Sequence, residues 1–211
     1  MPAQALNILP RPRMAGEMVP EHYFQELASS EISRDGRPLE VDLGCGDGSF
    51  LMEMAAHYPE RDFLGVERLL GRVRKVCRKA QRRGLENARV LRLDSRYVVE
   101  WLLPEAQVSR LHLLCPDPWP KVRHHRRRLV QMEFLEAVRR VLIPGGEFLF
   151  MTDHQEYFEW VEAKVTEFGR FERLEWTEET FFYPKTDFQQ LWESEGKAMW
   201  WLRCRKSLNG E

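Results

Sequence analysis

The chain has 211 residues, 43% of them hydrophobic and 31% charged, with 32 Lys/Arg against 33 Asp/Glu. That length suits one sizeable α/β domain, and no apolar run is long enough to span a bilayer. Residues 1–14 carry Pro2, Pro10 and Pro12 and do not read as a signal peptide, while Cys45, Cys77, Cys115 and Cys204 are too scattered for a disulfide framework or a zinc site. Reduced thiols, a cytoplasmic location and no metal are the expectation.

Residues 1–18 are predicted to be a flexible tail, and 19–211 one domain. A helix is expected from about Pro20 to Ile32, because Tyr23, Phe24, Leu27 and Ala28 share a helical face. Leu39–Leu43 is a short strand running into glycines, and Phe50–His57 a helix ended by Pro59. A second strand at Phe63–Glu67 precedes a basic helix from Leu70 to Arg83, closed by Gly84. Strand three spans Ala88–Leu93, with a helix near Tyr97–Leu102; strand four spans Arg110–Leu114 and opens into a proline-rich loop. Leu129–Leu142 is helical, Pro144-Gly145-Gly146 a turn, Phe148–Met151 a fifth strand and Tyr157–Phe168 a helix. The rest is predicted to hold aromatic-rich strands, Met199–Arg203 the clearest. Alternation at βαβ spacing calls for a mostly parallel sheet with helices on both faces, whose strand C-terminal ends form the ligand edge.

The near-neutral total hides segregated charge. Arg68–Arg96 contains eleven Lys/Arg and two acids, Lys121–Arg128 five Lys/Arg and no acid, and Glu156–Glu195 eleven acids against four bases. Such blocks either build a positive face for a polyanion or pair with one another as solvated helix surfaces.

Gly44, Gly46 and Gly48 stand between the first strand and its helix. A dinucleotide fingerprint needs its third glycine one place later, where Ser49 stands. A plain strand–helix turn accounts for the glycines alone. Three acids at successive strand ends make the loop more specific: Asp42 suits an ammonium group, Glu67 a ribose diol and Asp94 an adenine amino group. Together they fit S-adenosylmethionine, in a Rossmann-like class I methyltransferase fold with a seven-stranded sheet.

The segment Cys115-Pro116-Asp117-Pro118-Trp119-Pro120-Lys121-Val122-Arg123-His124-His125-Arg126-Arg127-Arg128 follows the fourth strand. Its prolines stiffen the backbone around Asp117 and Trp119, and the basic run offers phosphate contacts. Trp119 either stacks on a base or packs against the prolines. His124 and His125 lack the neighbours of a metal site.

This segment resembles that of the bacterial tRNA (guanine-N7)-methyltransferases, and the resemblance covers roughly residues 38–206. Asp117, Pro118, Trp119, Lys121, Arg123, His124, Arg126, Arg127 and Arg128 stand in the register of that family's PDPW run, as do Thr152-Asp153 and Thr186-Asp187-Phe188-Gln189 later on. The resemblance implies a tRNA partner, contact of Asp42, Glu67, Asp94 and Asp117 with the methyl donor, and a catalytic Asp117. It also implies substrate contact by Lys121, Asp153 and Thr186–Gln189, and product formation at N7 of guanine 46 in the variable loop. Arg123, Arg126, Arg127 and Arg128 are expected on the RNA backbone. DNA and membrane are not expected as partners, and the chain is expected to be a monomer or homodimer. Gln189 stands where the family usually has Glu, Asp42 where it has Glu, Leu114-Cys115 where two phenylalanines are common, and Arg126 where it has Lys. A methyltransferase of another substrate, or a non-catalytic RNA-binding homologue, is the alternative.

Overall fold

A computed structural model of the chain describes residues 14–34, 36–176 and 181–207. Its strands form one eight-stranded sheet: β1 (Glu17–Met18), β2 (Leu39–Leu43), β3 (Asp62–Val66), β4 (Ala88–Leu91), β5 (Val108–Leu114), β6 (Leu142–Thr152), β7 (Phe171–Leu174) and β8 (Trp200–Lys206). Their spatial order is β1-β4-β3-β2-β5-β6-β8-β7. All neighbours pair in parallel except β8, which runs antiparallel to both β6 and β7.

Seven strands give the expected sheet, and Glu17–Met18 adds an eighth by pairing with Val90–Leu91. Met18 is buried and Val90 N–H donates to Gly16 O, so residues 14–18 belong to the sheet edge rather than to a tail; residues 1–13 lie outside the described residues.

The helices are α1 (Ser29–Ile32), α2 (Ser49–His57), α3 (Leu70–Arg83), α4 (Ser95–Tyr97), α5 (Met132–Val141), α6 (Gln155–Phe168) and α7 (Asp187–Ser194). A π-helical turn, Val98–Leu102, continues α4, and a 3-10 turn spans Val122–Arg127. Two apolar layers hold the sheet. One joins Val41, Leu64 and Leu111 to Phe134, Val138 and Val161; the other joins Phe63 and Val90 to Phe50, Met54, Val73 and Val76.

Three expectations change. The helix from Pro20 shrinks to Ser29–Ile32, because Leu27 N–H donates to Leu102 O and the Tyr97 hydroxyl to Tyr23 O. These tertiary bonds replace the i→i−4 ladder. Pro144–Gly146 is not a separate turn but bulges from β6, between the pairs Val108↔Leu142 and Arg110↔Glu147. The C-terminal region holds α7 between its strands, started by Thr186, whose hydroxyl accepts from Gln189 N–H at 3.0 Å.

The strand order reverses at β2, whose neighbours are β3 and β5. A crevice at such a switch point opens at the strand C-terminal ends. The glycine loop after β2 and the proline loop after β5 therefore meet there.

No helix among the described residues is long and apolar enough to cross a membrane.

Candidate active site

At the switch point lies a cavity of about 560 Å³. Its lining includes Asp42, Gly44, Gly46, Glu67, Asp94, Asp117, Thr186, Asp187 and Phe188 from the sequence-predicted set. Five separated stretches of chain thus converge as the strand order requires.

The glycine loop is built for close approach. Gly44, Gly46 and Gly48 have φ of 76°, 58° and 83°, a region that L side chains rarely adopt. Around Gly44 no atom lies within 4 Å of where a Cβ would stand, so a side chain there would project into open pocket space. Gly48 does not line the cavity: a Cβ on it would meet Val76 Cγ2 at 2.8 Å, so its role is to let the loop pack on α3.

The acids differ in environment. Asp42 and Glu67 are buried at 3% and 5% exposure. Burial, then the Glu67 charge, pushes the Asp42 carboxyl up to about 7. Glu67 accepts the Leu69 N–H at 2.7 Å, and its other oxygen lies 3.5 Å from Arg72. Asp94 is exposed and caps α4 by accepting from Tyr97 N–H at 3.2 Å. Two acids in a recess and one at the rim match a ligand with an ammonium group, a ribose diol and an adenine amino group, in that order. An adenine nucleoside with an amino-acid tail fits this set of acceptors and this volume.

Asp117 is exposed at the mouth. Cys115 and Trp119, on either side of it, take φ of 49° and 45°. Left-handed backbone at two non-glycine residues is costly and over-determines the loop's path. Trp119 lines the cavity, with the Arg127 guanidinium 4.9 Å from its ring centroid and His124 edge-on at 5.8 Å. Its ring thus packs against the side chains of Arg127 and His124. Asp153 sits beside this loop: its charge, after burial, helps push the Cys115 thiol up to about 12. Buried Cys45, which also lines the cavity, has its thiol raised by burial first, so neither cysteine is poised as a nucleophile.

The structure does not bring the whole basic run to one surface. Lys121, Arg123, Arg126 and Arg127 are exposed, and Arg127 reaches the cavity rim. Arg128 is fully buried: it donates to both Glu156 carboxylate oxygens and to Pro118 O, and its guanidinium lies over the Tyr157 and Trp160 rings. The expected phosphate contact at Arg128 is thus replaced by a structural one. Gln189 is likewise turned inward at 2% exposure, its amide donating to Glu193 Oε1 at 2.7 Å, and it does not line the cavity. The structure therefore sets Gln189 apart from the cavity that Thr186, Asp187 and Phe188 line.

Two features escaped the sequence reading. Ser49 Oγ lies 2.8 Å from Asp187 Oδ2 and accepts from Lys79 Nζ at 2.8 Å, and Lys79 also pairs with Asp47 at 3.0 Å. This cluster latches the start of α7 to the glycine loop. Beneath the floor, His112 Nε2 lies 2.8 Å from Glu40 and Nδ1 3.2 Å from the Tyr183 hydroxyl. The one available signal was a charged residue, Glu40, between the apolar Leu39 and Val41 of a buried strand. Among the described residues no group of three His, Cys, Asp or Glu side chains is arranged to hold a metal.

A family model described as "Putative methyltransferase" matches residues 36–202. The chain is 34% identical over 169 residues to a tRNA (guanine-N(7)-)-methyltransferase of Nitrosococcus oceani, covering 80% of this chain and 72% of the relative. It is 36% identical to the enzyme of that name from Rubrobacter xylanophilus (82% and 79% covered) and 32% identical to that from Geobacter metallireducens (83% and 85%). Among solved structures, the 16S rRNA methyltransferase KamB superposes with a TM-score of 0.63 at 20% identity, covering 87% of this chain and 95% of that one. This structural likeness establishes the class I methyltransferase fold. The sequence matches go further: the chain belongs to the tRNA (guanine-N(7)-)-methyltransferase family.

Proposed function

We propose that this chain transfers the methyl group of S-adenosylmethionine to N7 of guanine 46, in the variable loop of tRNA, giving 7-methylguanosine. The observation that carries the reading is the placement of Asp117 at the mouth of the same cavity that Asp42, Glu67 and the glycine loop line. The tRNA substrate rests on the names of the family members, and the donor on the fit of the acids and the loop.

When bound, adenosylmethionine supplies an electrophilic methyl on a sulfonium, so the N7–carbon bond forms as the carbon–sulfur bond breaks and no proton has to move. Guanine N7 offers a lone pair and carries no hydrogen, so the chain needs no general base. Its residues act by positioning and electrostatics. Asp42 receives the ammonium group, Glu67 the ribose hydroxyls, and Asp94 the adenine amino group. Asp117 faces the base and stabilises the positive charge that its imidazole ring gains. It also accepts from N1–H and the N2 amino group, as adenine does not allow. Asp153, whose charge is felt at Cys115 in the same loop, adds to this field. Thr186–Phe188 border the acceptor side, where the Phe188 ring is exposed. Lys121, Arg123, Arg126 and Arg127 take the flanking phosphates, and the target base leaves its stack to reach the pocket.

The test is incubation with total tRNA and labelled adenosylmethionine, followed by digestion to nucleosides. Label in 7-methylguanosine is the expected result, and ribonuclease fragments of the same tRNA place it in the variable loop; label in another nucleoside, or only in protein or small molecules, would overturn the reading.

A further inference from the structure

The basic block of α3 is not used by the mechanism above. The acidic block is partly paired within the fold: Glu156 pairs with Arg128, Glu162 with Arg173, Glu167 with Lys164, Glu172 with Arg205 and Glu193 with Lys185. On α3, Arg72 pairs with Glu67, Lys79 with Asp47 and Arg83 with Glu53. Arg74, Lys75, Arg78 and Arg82 have no carboxylate within 4 Å among the described residues, and all four are exposed. Four cations on one helix are therefore left without an acidic partner among the described residues.

Those cations are ordered by the helix. Lys75, Arg78 and Arg82 recur at i, i+3 and i+7, so they form one stripe roughly 10 Å long. The stripe borders an open groove lined by Asp47, Lys75, Arg78, Lys79, Gln81 and Arg82. Asp47 also lines the donor cavity, so groove and cavity share a wall. The close contact of Gly48 with Val76 fixes α3 against the glycine loop, and with it the offset between stripe and pocket.

We propose that the Lys75–Arg78–Arg82 groove holds a second stretch of tRNA phosphate backbone, across the donor pocket from the Lys121–Arg127 run. This rests on the tRNA reading given above. The tRNA is then gripped on both sides of the pocket, and the target base is drawn into the gap between two anchored backbone segments. Arg74, one turn before Arg78 on the same flank of the helix, extends the positive field without lining the groove.

The experiment uses the full chain and unmodified tRNA. Lys75→Ala/Arg78→Ala/Arg82→Ala is compared with wild type for tRNA affinity over about 50–200 mM salt, where each lost phosphate contact lowers the log–log slope by roughly 0.7–0.9. The expected result is a slope smaller by about 2 and a Kd raised about tenfold or more. Adenosylmethionine affinity, measured by calorimetry, stays at the wild-type value and reports an intact pocket. The charge-keeping Lys75→Arg/Arg78→Lys/Arg82→Lys retains the wild-type slope. An unchanged slope in the alanine variant overturns the proposal, as does an equal loss in the charge-keeping variant. Nucleoside analysis of the wild-type product separates the two ideas: a groove-dependent slope without 7-methylguanosine removes the methylation reading and leaves the groove, and the reverse removes the groove alone.

Discussion

Arg128 grips Glu156 through both guanidinium NH groups, from a position of zero exposure, while Arg126 and Arg127 just before it face solvent. Its Nε also holds Pro118 O at 2.9 Å, so one side chain ties the proline loop to α6. Removing the buried arginine leaves a cavity and an unmet carbonyl, while Glu156, half-exposed, is met by water. Arg128→Ala is expected to cost about 1–3 kcal/mol in denaturant unfolding. Its tRNA salt slope should match wild type, whereas Arg126→Ala/Arg127→Ala should lower that slope with little loss of stability. A reduced slope in Arg128→Ala at unchanged stability would refute the structural role.

Asp117 stands at the cavity mouth and makes none of the loop's internal hydrogen bonds. On the proposed function its carboxylate is the group that meets the base. Asp117→Ala is expected to lower kcat by about 10²–10³-fold, the usual loss when a preorganised electrostatic contact is removed. Adenosylmethionine binding should remain measurable, because Asp42 and Glu67 are untouched. Near-normal turnover in single-turnover assays would refute the assignment.

The Tyr183 hydroxyl reaches His112 Nδ1, and His112 Nε2 reaches Glu40. An ionised carboxylate only accepts, so Nε2 carries the hydrogen and Nδ1 accepts from Tyr183. Burial, opposed by the bond to Glu40, lowers the His112 pKa and favours this neutral form. The chain of bonds ties the segment before Thr186 to the sheet under the pocket. Tyr183→Phe keeps the ring contacts with Phe50 and Trp176 but strands a buried acceptor. It should cost about 1–3 kcal/mol in thermal or denaturant unfolding, and raise KM for tRNA more than KM for the donor. Wild-type stability would show that the bond does not hold the segment.

The parallel frame and the donor acids were legible because each sits in a local pattern. Glu67 and Asp94 follow buried strands, and glycines fill the turn after Asp42. What stayed hidden depends on distant partners. Nothing near Arg128 in the sequence announces Glu156, and a run of five cations reads as uniform until one is buried. Gln189 carries a substrate motif by position, yet helix periodicity turns it inward while Phe188 stays out. The segment from Pro20 has a helical pattern but spends its backbone groups on Leu102. Ser49, which ruled out a dinucleotide loop, holds Asp187 from 138 residues away in the chain.

If Asp42 receives the ammonium group, the buried pair Asp42 and Glu67 is expected to make donor binding depend on pH. Asp42 has an ordinary pKa of 3.8 and is raised to about 7 by burial and then by Glu67. The folded chain without ligand therefore holds this proton more tightly than the unfolded chain. The resulting stability is complete below pH 3.8 and is lost as pH rises through about 7. A ligand ammonium reverses the preference, since it pairs with the ionised carboxylate and must expel the proton. Adenosylmethionine affinity should thus be level above pH 7 and fall by up to about tenfold per unit below it, with proton release seen in calorimetry near neutrality. Asp42→Asn removes the titrating group, so it should weaken binding at pH 8 and abolish the dependence between pH 5.5 and 7. A wild-type affinity that stays constant across that interval would show that Asp42 does not receive the ammonium group.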